Sequence, residues 1–232
     1  PMVTLASGDV PVVLEPAVVG QLLAHLGKHV GASAVAAGAS FLSGASGRGV
    51  AADGILLYDD HTHLLHRGSP FDDEGVARSR VTLIDKGNTG DPVYSWASAQ
   101  RYSGQATGHK VFDAAGIECE WARHLVLEGD TRTTSDLLGD MNHGVLVTRL
   151  GSTAIVDPRQ LTVIGATDHG LHLVEDGEIN APLKDMRFTV SVLDILRETV
   201  GRSAQVWAAG SVVPALQTRM AFTAPVGGAP GA

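Results

Sequence analysis

The chain has 232 residues, 44% of them hydrophobic and 18% charged, with 17 Lys plus Arg against 25 Asp plus Glu and a formal charge of -8. That length and apolar content bury a sizeable core, as one large domain or two tightly joined ones, and exclude bulk disorder. The acidic balance and the scatter of the basic residues leave no electrostatic footprint for nucleic acid.

The single cysteine, Cys119, admits no internal disulfide, and no CxxC pair or Cys/His cluster has structural-zinc spacing. A reducing, cytoplasmic setting is expected. Gly, His, Lys or Ser interrupts each apolar run before the ~18 residues of a membrane-spanning helix, so none is expected. Pro1-Met2-Val3-Thr4-Leu5 has neither the basic region nor the apolar block of a signal peptide. Its abrupt start is what a fragment or a split subunit presents.

The 28 glycines and 5% aromatic content point to many tight turns and a core of Val, Leu, Ile and Ala. The expected class is therefore α+β, a sheet-rich mixed domain with a few helices. Residues 1–11 read as a leader, 12–224 as the domain and 225–232 as a mobile Gly/Pro/Ala tail. Val12-Val13-Leu14 reads as a strand. Pro16 then opens a helix to about His29, with Val18, Val19, Leu22, Leu23 and Leu26 on one face. The small-residue stretch from Gly31 to Gly49 reads as a close-packed helix and loop that buries Val35, Phe41 and Leu42.

Short strands follow at Ile55 to Tyr58, Ser79 to Asp85 and Pro92 to Trp96, with a turn across Lys86 to Asp91. Further strands are expected at His143 to Leu150, Gln160 to Gly165, Leu171 to Val174, Gln205 to Val213 and Thr218 to Thr223. Asp176-Gly177 is the pair a type I′ hairpin demands, because both central residues need positive φ. Helices are expected over Thr133 to Met141 and Phe188 to Val200. No internal repeat of fixed period occurs.

Several ordered motifs then carry a family likeness. Asp59-Asp60 through Gly68-Ser69-Pro70-Phe71-Asp72-Asp73-Glu74-Gly75, the strand Val81 to Ile84, the Asp85-Lys86-Gly87 turn and Ala106-Thr107-Gly108-His109 resemble the C-terminal domain of the TldD/PmbA metallopeptidase family. The likeness continues through Gly144 to Arg149, Glu175 to Glu178 and Gly210 to Pro214, so it spans about Val12 to Phe222. The family pattern implies a two-protein protease in which a TldD-type partner holds zinc and the PmbA/TldE-type partner does not. Catalytic members carry His-Glu-x-x-x-His on the first helix of this domain and a cysteine ligand near its end. Here the helix reads Pro16-Ala17-Val18-Val19-Gly20-Gln21, and Ala209 stands at the cysteine position.

A catalytic zinc takes about three protein N, S or O ligands and a nearby carboxylate base. Pro16, Ala17 and Ala209 cannot ligate, and Gln21 is a poor ligand. The resemblance therefore implies a chain that binds no cofactor itself, with zinc on a TldD-like partner and an unfolded or modified peptide as substrate. Two other functions compete: a tailoring enzyme rebuilt without the family zinc site, and a protein-binding scaffold. The family's additional N-terminal domain has no counterpart here, which fits a fragment, one half of a split pair or a short paralogue.

Other residues bear on the site. His61-Thr62-His63 on one face of a strand, with His66 nearby, could hold a metal, although solvated histidines beside Asp59, Asp60 and Arg67 are the preferred reading. His25 and His29, four apart, read as an exposed helix end that favours partly charged His rather than a chelating pair. Asp72, Asp73 and Glu74 could be read as acid/base carboxylates, but adjacent acids do not flank a substrate well. The resemblance implies a loop over the substrate channel, and the preferred reading is a structural turn whose acids cap backbone N–H groups or pair with Arg78 or Arg80. Thr107, Gly108 and His109 either touch a bound peptide or form an ordinary Gly turn. Glu118 and Glu120 raise the pKa of Cys119 and make it a poor nucleophile. The spacing of Gly44, Gly47 and Gly49 is not GxGxxG, and no Walker A motif occurs.

Overall fold

The computed structural model describes residues 3–44, 46–66 and 68–226. Its first half contains β1 (Gly8–Leu14), α1 (Pro16–Gly27), α2 (Ala32–Ala36), β2 (Leu57–Asp59), β3 (Val81–Asp85), β4 (Asn88–Thr89) and α3 (Trp96–Arg101). The middle adds β5 (Lys110–Phe112), β6 (Glu118–Glu120), β7 (Leu125–Leu127), α4 (Thr134–Gly139), β8 (His143–Val147), β9 (Leu150–Asp157) and β10 (Thr162–Thr167). The remainder is β11 (Leu171–Glu175), β12 (Glu178–Pro182), β13 (Met186–Ser191), α5 (Val192–Arg197), β14 (Gly201–Arg202), β15 (Val206–Ala208), β16 (Ser211–Val213) and β17 (Leu216–Pro225).

Among the described residues these strands form three sheets. The largest is mixed and runs β12-β11-β8-β1-β17-β13-β10-β9, with β14 added beside β17. The second runs β15-β16-β7-β2-β3-β4, and β5 and β6 form a separate hairpin. Period-2 alternation in β1 sends Val12 and Leu14 into the main core and Val13 to the opposite face, against Leu137, Leu138 and Met141 of the α4 region. Leu22, Leu23 and Leu26 of α1 share the main core with Leu57 and Ile84 of the second sheet and Phe188 and Phe222 of the first. α1 is thus held between the two sheets, and the α+β, sheet-rich class holds.

The first helix follows its sequence closely. Pro16 sits in the first turn, where its fixed φ suits the helix and its missing N–H leaves nothing unpaired. The whole expected stripe from Val18 to Leu26 is buried. The Asp176-Gly177 turn joins β11 to β12 with φ of 49° and 80°, as a type I′ turn requires.

Three expectations are corrected. Pro92 to Trp96 is not a strand: only Val93 makes a bridge, to Gly31, and Ser95 caps α3 through a reciprocal box with Ser98. Phe188 to Val200 is not one helix. Phe188 and Val190 are buried while Arg187 and Thr189 face out, which is strand period, and Ser191 then caps α5. Gly8 to Pro11, read as leader, belong to β1 because Gly8 through Leu14 pair in register with Phe222 through Leu216 of β17. Residues 1–2 of that leader, Arg67 and residues 227–232 of the expected tail lie outside the described residues.

Candidate functional site

The two segments in which the family resemblance seeks zinc ligands do meet. α1 packs against the β15–β16 hairpin, and Gly20 is the point of closest approach: a Cβ there would stand 2.6 Å from the Ala208 carbonyl oxygen and 3.0 Å from the Ala209 Cβ. Ala209 and Gly210 form the hairpin turn with φ of 47° and 83°. Pro16 is half-buried and Ala17 and Ala209 are exposed, and none of the three has a donor side chain. The Gln21 amide donates to the Gly151 carbonyl of β9 at 2.9 Å. This donor set does not fit a zinc ion. One turn further on, His25 Nε2 bonds Thr153 Oγ1 at 2.8 Å and His29 Nδ1 bonds the His25 carbonyl at 2.8 Å, so the two rings serve different partners. Burial, then Lys28 and His29, push the His25 pKa down, against the expected helix-end stabilisation of its charge.

The acidic loop is built by backbone capping. Asp72, 3% exposed, accepts from the N–H groups of Glu74 and Val76 on Oδ1 and of Lys110 on Oδ2. Asp73 accepts from the Phe112 N–H and Glu74 from the Trp96 N–H. The cationic partner is Lys110, whose Nζ lies 3.1 Å from Glu74 and 2.9 Å from Glu118. Arg78 and Arg80 do not pair with these acids: Arg80 stacks over the Tyr58 ring at 3.7 Å, and Arg78 is buried. Gly108 has φ 71°, and a Cβ there would stand 2.5 Å from the Ala77 carbonyl oxygen, so this turn needs glycine. Cys119 is half-buried, and burial, then Asp113 and Glu120, raise its pKa.

His109 is not a surface donor. It is fully buried, with Nε2 3.0 Å from Asp59 Oδ1 and Nδ1 2.9 Å from Thr107 Oγ1. Asp59, 1% exposed, also accepts from the His124 N–H at 2.7 Å. Burial would raise the Asp59 pKa, but the hydrogen bonds and charges of His109 and His124 hold it below the ordinary carboxylate range.

Around this pair sits a histidine cluster. β2 ends at Asp59, so His61 and His63 lie in a turn rather than on one strand face. The His124 ring lies 6.4 Å from that of His61 and 5.5 Å from that of His66, and His66 Nε2 bonds the Leu125 carbonyl at 3.1 Å. Burial drives the His124 pKa down to about 4 and lowers that of His66. Among the described residues no three His, Cys, Asp or Glu side chains converge as a metal site. His66 and His124, with Leu65, Arg123, Trp207 and Gly210, line a cleft of about 480 Å³ beside the Ala209 turn. His124 and Arg78 have no local sequence signal. Asp59-Asp60 at the end of an apolar strand, the His61, His63 and His66 run and His109 were the visible pointers to this centre.

A family profile described as the PmbA/TldA metallopeptidase C-terminal domain matches residues 7–223. The metalloprotease PmbA of Escherichia coli is 27% identical over 201 residues, covering 84% of this chain and 41% of that protein. A metalloprotease of Archaeoglobus fulgidus is 27% identical over 205 residues, covering 86% and 47%. The chain therefore spans less than half the length of these relatives. The crystal structure of TldE from Thermococcus kodakarensis superposes with a TM-score of 0.85 at 23% identity, over 96% of this chain and 51% of that one. A putative modulator of a DNA gyrase from Thermotoga maritima does so with a TM-score of 0.82 at 21% identity, over 96% and 51%. These two likenesses show a shared fold. The profile match over nearly the whole chain shows that it belongs to the PmbA/TldA metallopeptidase family, the TldD/PmbA family of the resemblance, as its C-terminal domain.

Proposed function

We propose that this domain is the non-catalytic, TldE/PmbA-like half of a peptide-processing metalloprotease complex, and that it encloses a substrate chamber with a zinc-bearing, TldD-like partner. The observation that most supports this reading is the donor-poor contact between α1 and the β15–β16 turn. Pro16, Ala17, Gln21 and Ala209 stand where the family pattern has two histidines, a glutamate and a cysteine, and Gln21 is engaged with Gly151. Zinc chemistry needs a closed set of N, O or S donors and a base, so the hydrolytic step is assigned to the partner. This chain binds and orients an unfolded peptide in extended form, by backbone pairing to a sheet edge. The strand β15 is such an edge, and its Trp207 borders the cleft.

The test is metal analysis and peptide cleavage with the purified chain, alone and mixed with a TldD-like subunit. Zinc and cleavage that appear only in the mixture support the accessory role. Turnover by the lone chain would instead identify a rebuilt tailoring enzyme, and association without cleavage a scaffold.

A further inference from the structure

The cleft beside the Ala209 turn has one cationic side chain, Arg123, and an apolar wall, and the buried Arg78 lies close enough for its charge to act on Arg123 and His124. Arg78, 8% exposed, has no hydrogen-bond partner for Nε or Nη1 among the described residues, and the Nδ1 atoms of His61 and His124 are likewise buried and unpartnered. The carboxylates whose charges act on Arg78 are Asp59, Asp72 and, more weakly, Asp73, and all four oxygens of Asp59 and Asp72 accept hydrogen bonds from other groups. The guanidinium is therefore balanced in charge but not in hydrogen bonding. Unfilled buried donors of this kind are costly and are satisfied by an acceptor.

Arg123 stands at the rim, and its charge and that of Arg78 act on one another. Trp207, 58% exposed, and Leu65, 45% exposed, line the same cleft. A volume of about 480 Å³ lies within the roughly 300–1,000 Å³ of ligand sites. None of the lining side chains is acidic, so a peptide's terminal ammonium has no counter-charge here. A carboxylate attached to an apolar side chain has both a cation and a wall.

We propose that this cleft is a subsite for the C-terminal carboxylate of a peptide, received by Arg123, with the terminal side chain against Trp207 and Leu65. His124 then offers a ring N–H to the second oxygen, while the His66 N–H is held by the Leu125 carbonyl. The assignment rests on the peptide-processing reading and adds a direction to it: the peptide's C-terminal end lies on this chain.

The test is calorimetric titration of the 232-residue chain with a short peptide ending in leucine, and with the same peptide as its C-terminal amide. The acid is expected to bind about tenfold or more tightly than the amide, as loss of a charge-assisted pair implies. Arg123→Gln, an exposed substitution that leaves the fold intact, should abolish that preference, and Trp207→Ala should weaken both peptides. Equal affinity for acid and amide, a preference that survives Arg123→Gln, no binding of either, or binding of inorganic phosphate without discrimination between the peptides overturns the subsite. If that happens while partner-dependent zinc and cleavage persist, the proposed function stands without it. Metal-dependent cleavage by the lone chain removes the proposed function whatever the peptide preference.

Discussion

Gly20 of α1 lies against Ala209 of the β15–β16 turn so closely that their Cβ positions would be 3.0 Å apart, with the Ala208 carbonyl oxygen at 2.6 Å. Alanine is favoured over glycine inside a helix by about 1 kcal/mol, but here the added methyl meets backbone that cannot turn aside. Gly20→Ala is expected to destabilise the chain by about 1–3 kcal/mol. Urea unfolding measures this, and a variant as stable as the parent would show that the helix and hairpin are further apart than described.

The same contact predicts what a restored site would do. A combined Pro16→His, Ala17→Glu, Gln21→His and Ala209→Cys variant is expected to retain one zinc per chain after dialysis, and Ala209→Cys alone is expected to retain none. Gln21→His also removes the bond to the Gly151 carbonyl, at a cost of about 1 kcal/mol. A folded quadruple variant without zinc would mean that the helix and turn do not present these positions to a common centre.

Asp59 and His109 form a buried pair at 3.0 Å. Removing the carboxylate leaves the His109 ring and the His124 N–H without their acceptor, so Asp59→Ala should cost about 3–5 kcal/mol. Adding His109→Leu removes one of the stranded groups and should recover part of the loss. A strictly additive double-mutant cycle would contradict a direct interaction.

Acidification should weaken the fold before the carboxylates titrate. The His124 pKa is about 4 in the folded chain against an ordinary 6.5, so the folded state favours the neutral ring. Above pH 6.5 neither state takes up the proton. Between pH 6.5 and 4 the unfolded chain binds it and the folded chain does not, so stability falls by roughly 3 kcal/mol over that window. His25 and His66, also lowered, act in the same direction. Asp59, held below 3.8, contributes stability that is lost only at still lower pH. Denaturant midpoints at pH 7, 5.5 and 4 measure the slope. His124→Gln should flatten it, and an unchanged slope would remove His124 as its source.

Some of this architecture was legible because its causes are local. Pro16 and the 3.6-residue stripe from Val18 to Leu26 predict α1, and Asp176-Gly177 predicts its hairpin. The acidic loop was legible as a set of backbone caps, though not its cation: Lys110 is 36 residues from Glu74, while Arg78 and Arg80 were nearer in sequence. Phe188 to Val200 misled because its apolar residues satisfy both periods, and pairing with β10 and β17 settled Phe188 and Val190 as strand.

By itself the sequence determined the class of fold, the first helix with Pro16 and Ala17, which cannot ligate, and the poor ligand Gln21, and the family likeness, because these depend on residue type and near-neighbour spacing. Only the tertiary structure decided that Ala209 meets Gly20, and that Asp59, His109 and His124 share one buried centre next to a cleft. Those partners are 50 or more residues apart in the chain, and they are brought together by strand pairings such as Asp59 with Leu125. Such pairings reflect the burial of two whole sheets around α1, which no local pattern encodes.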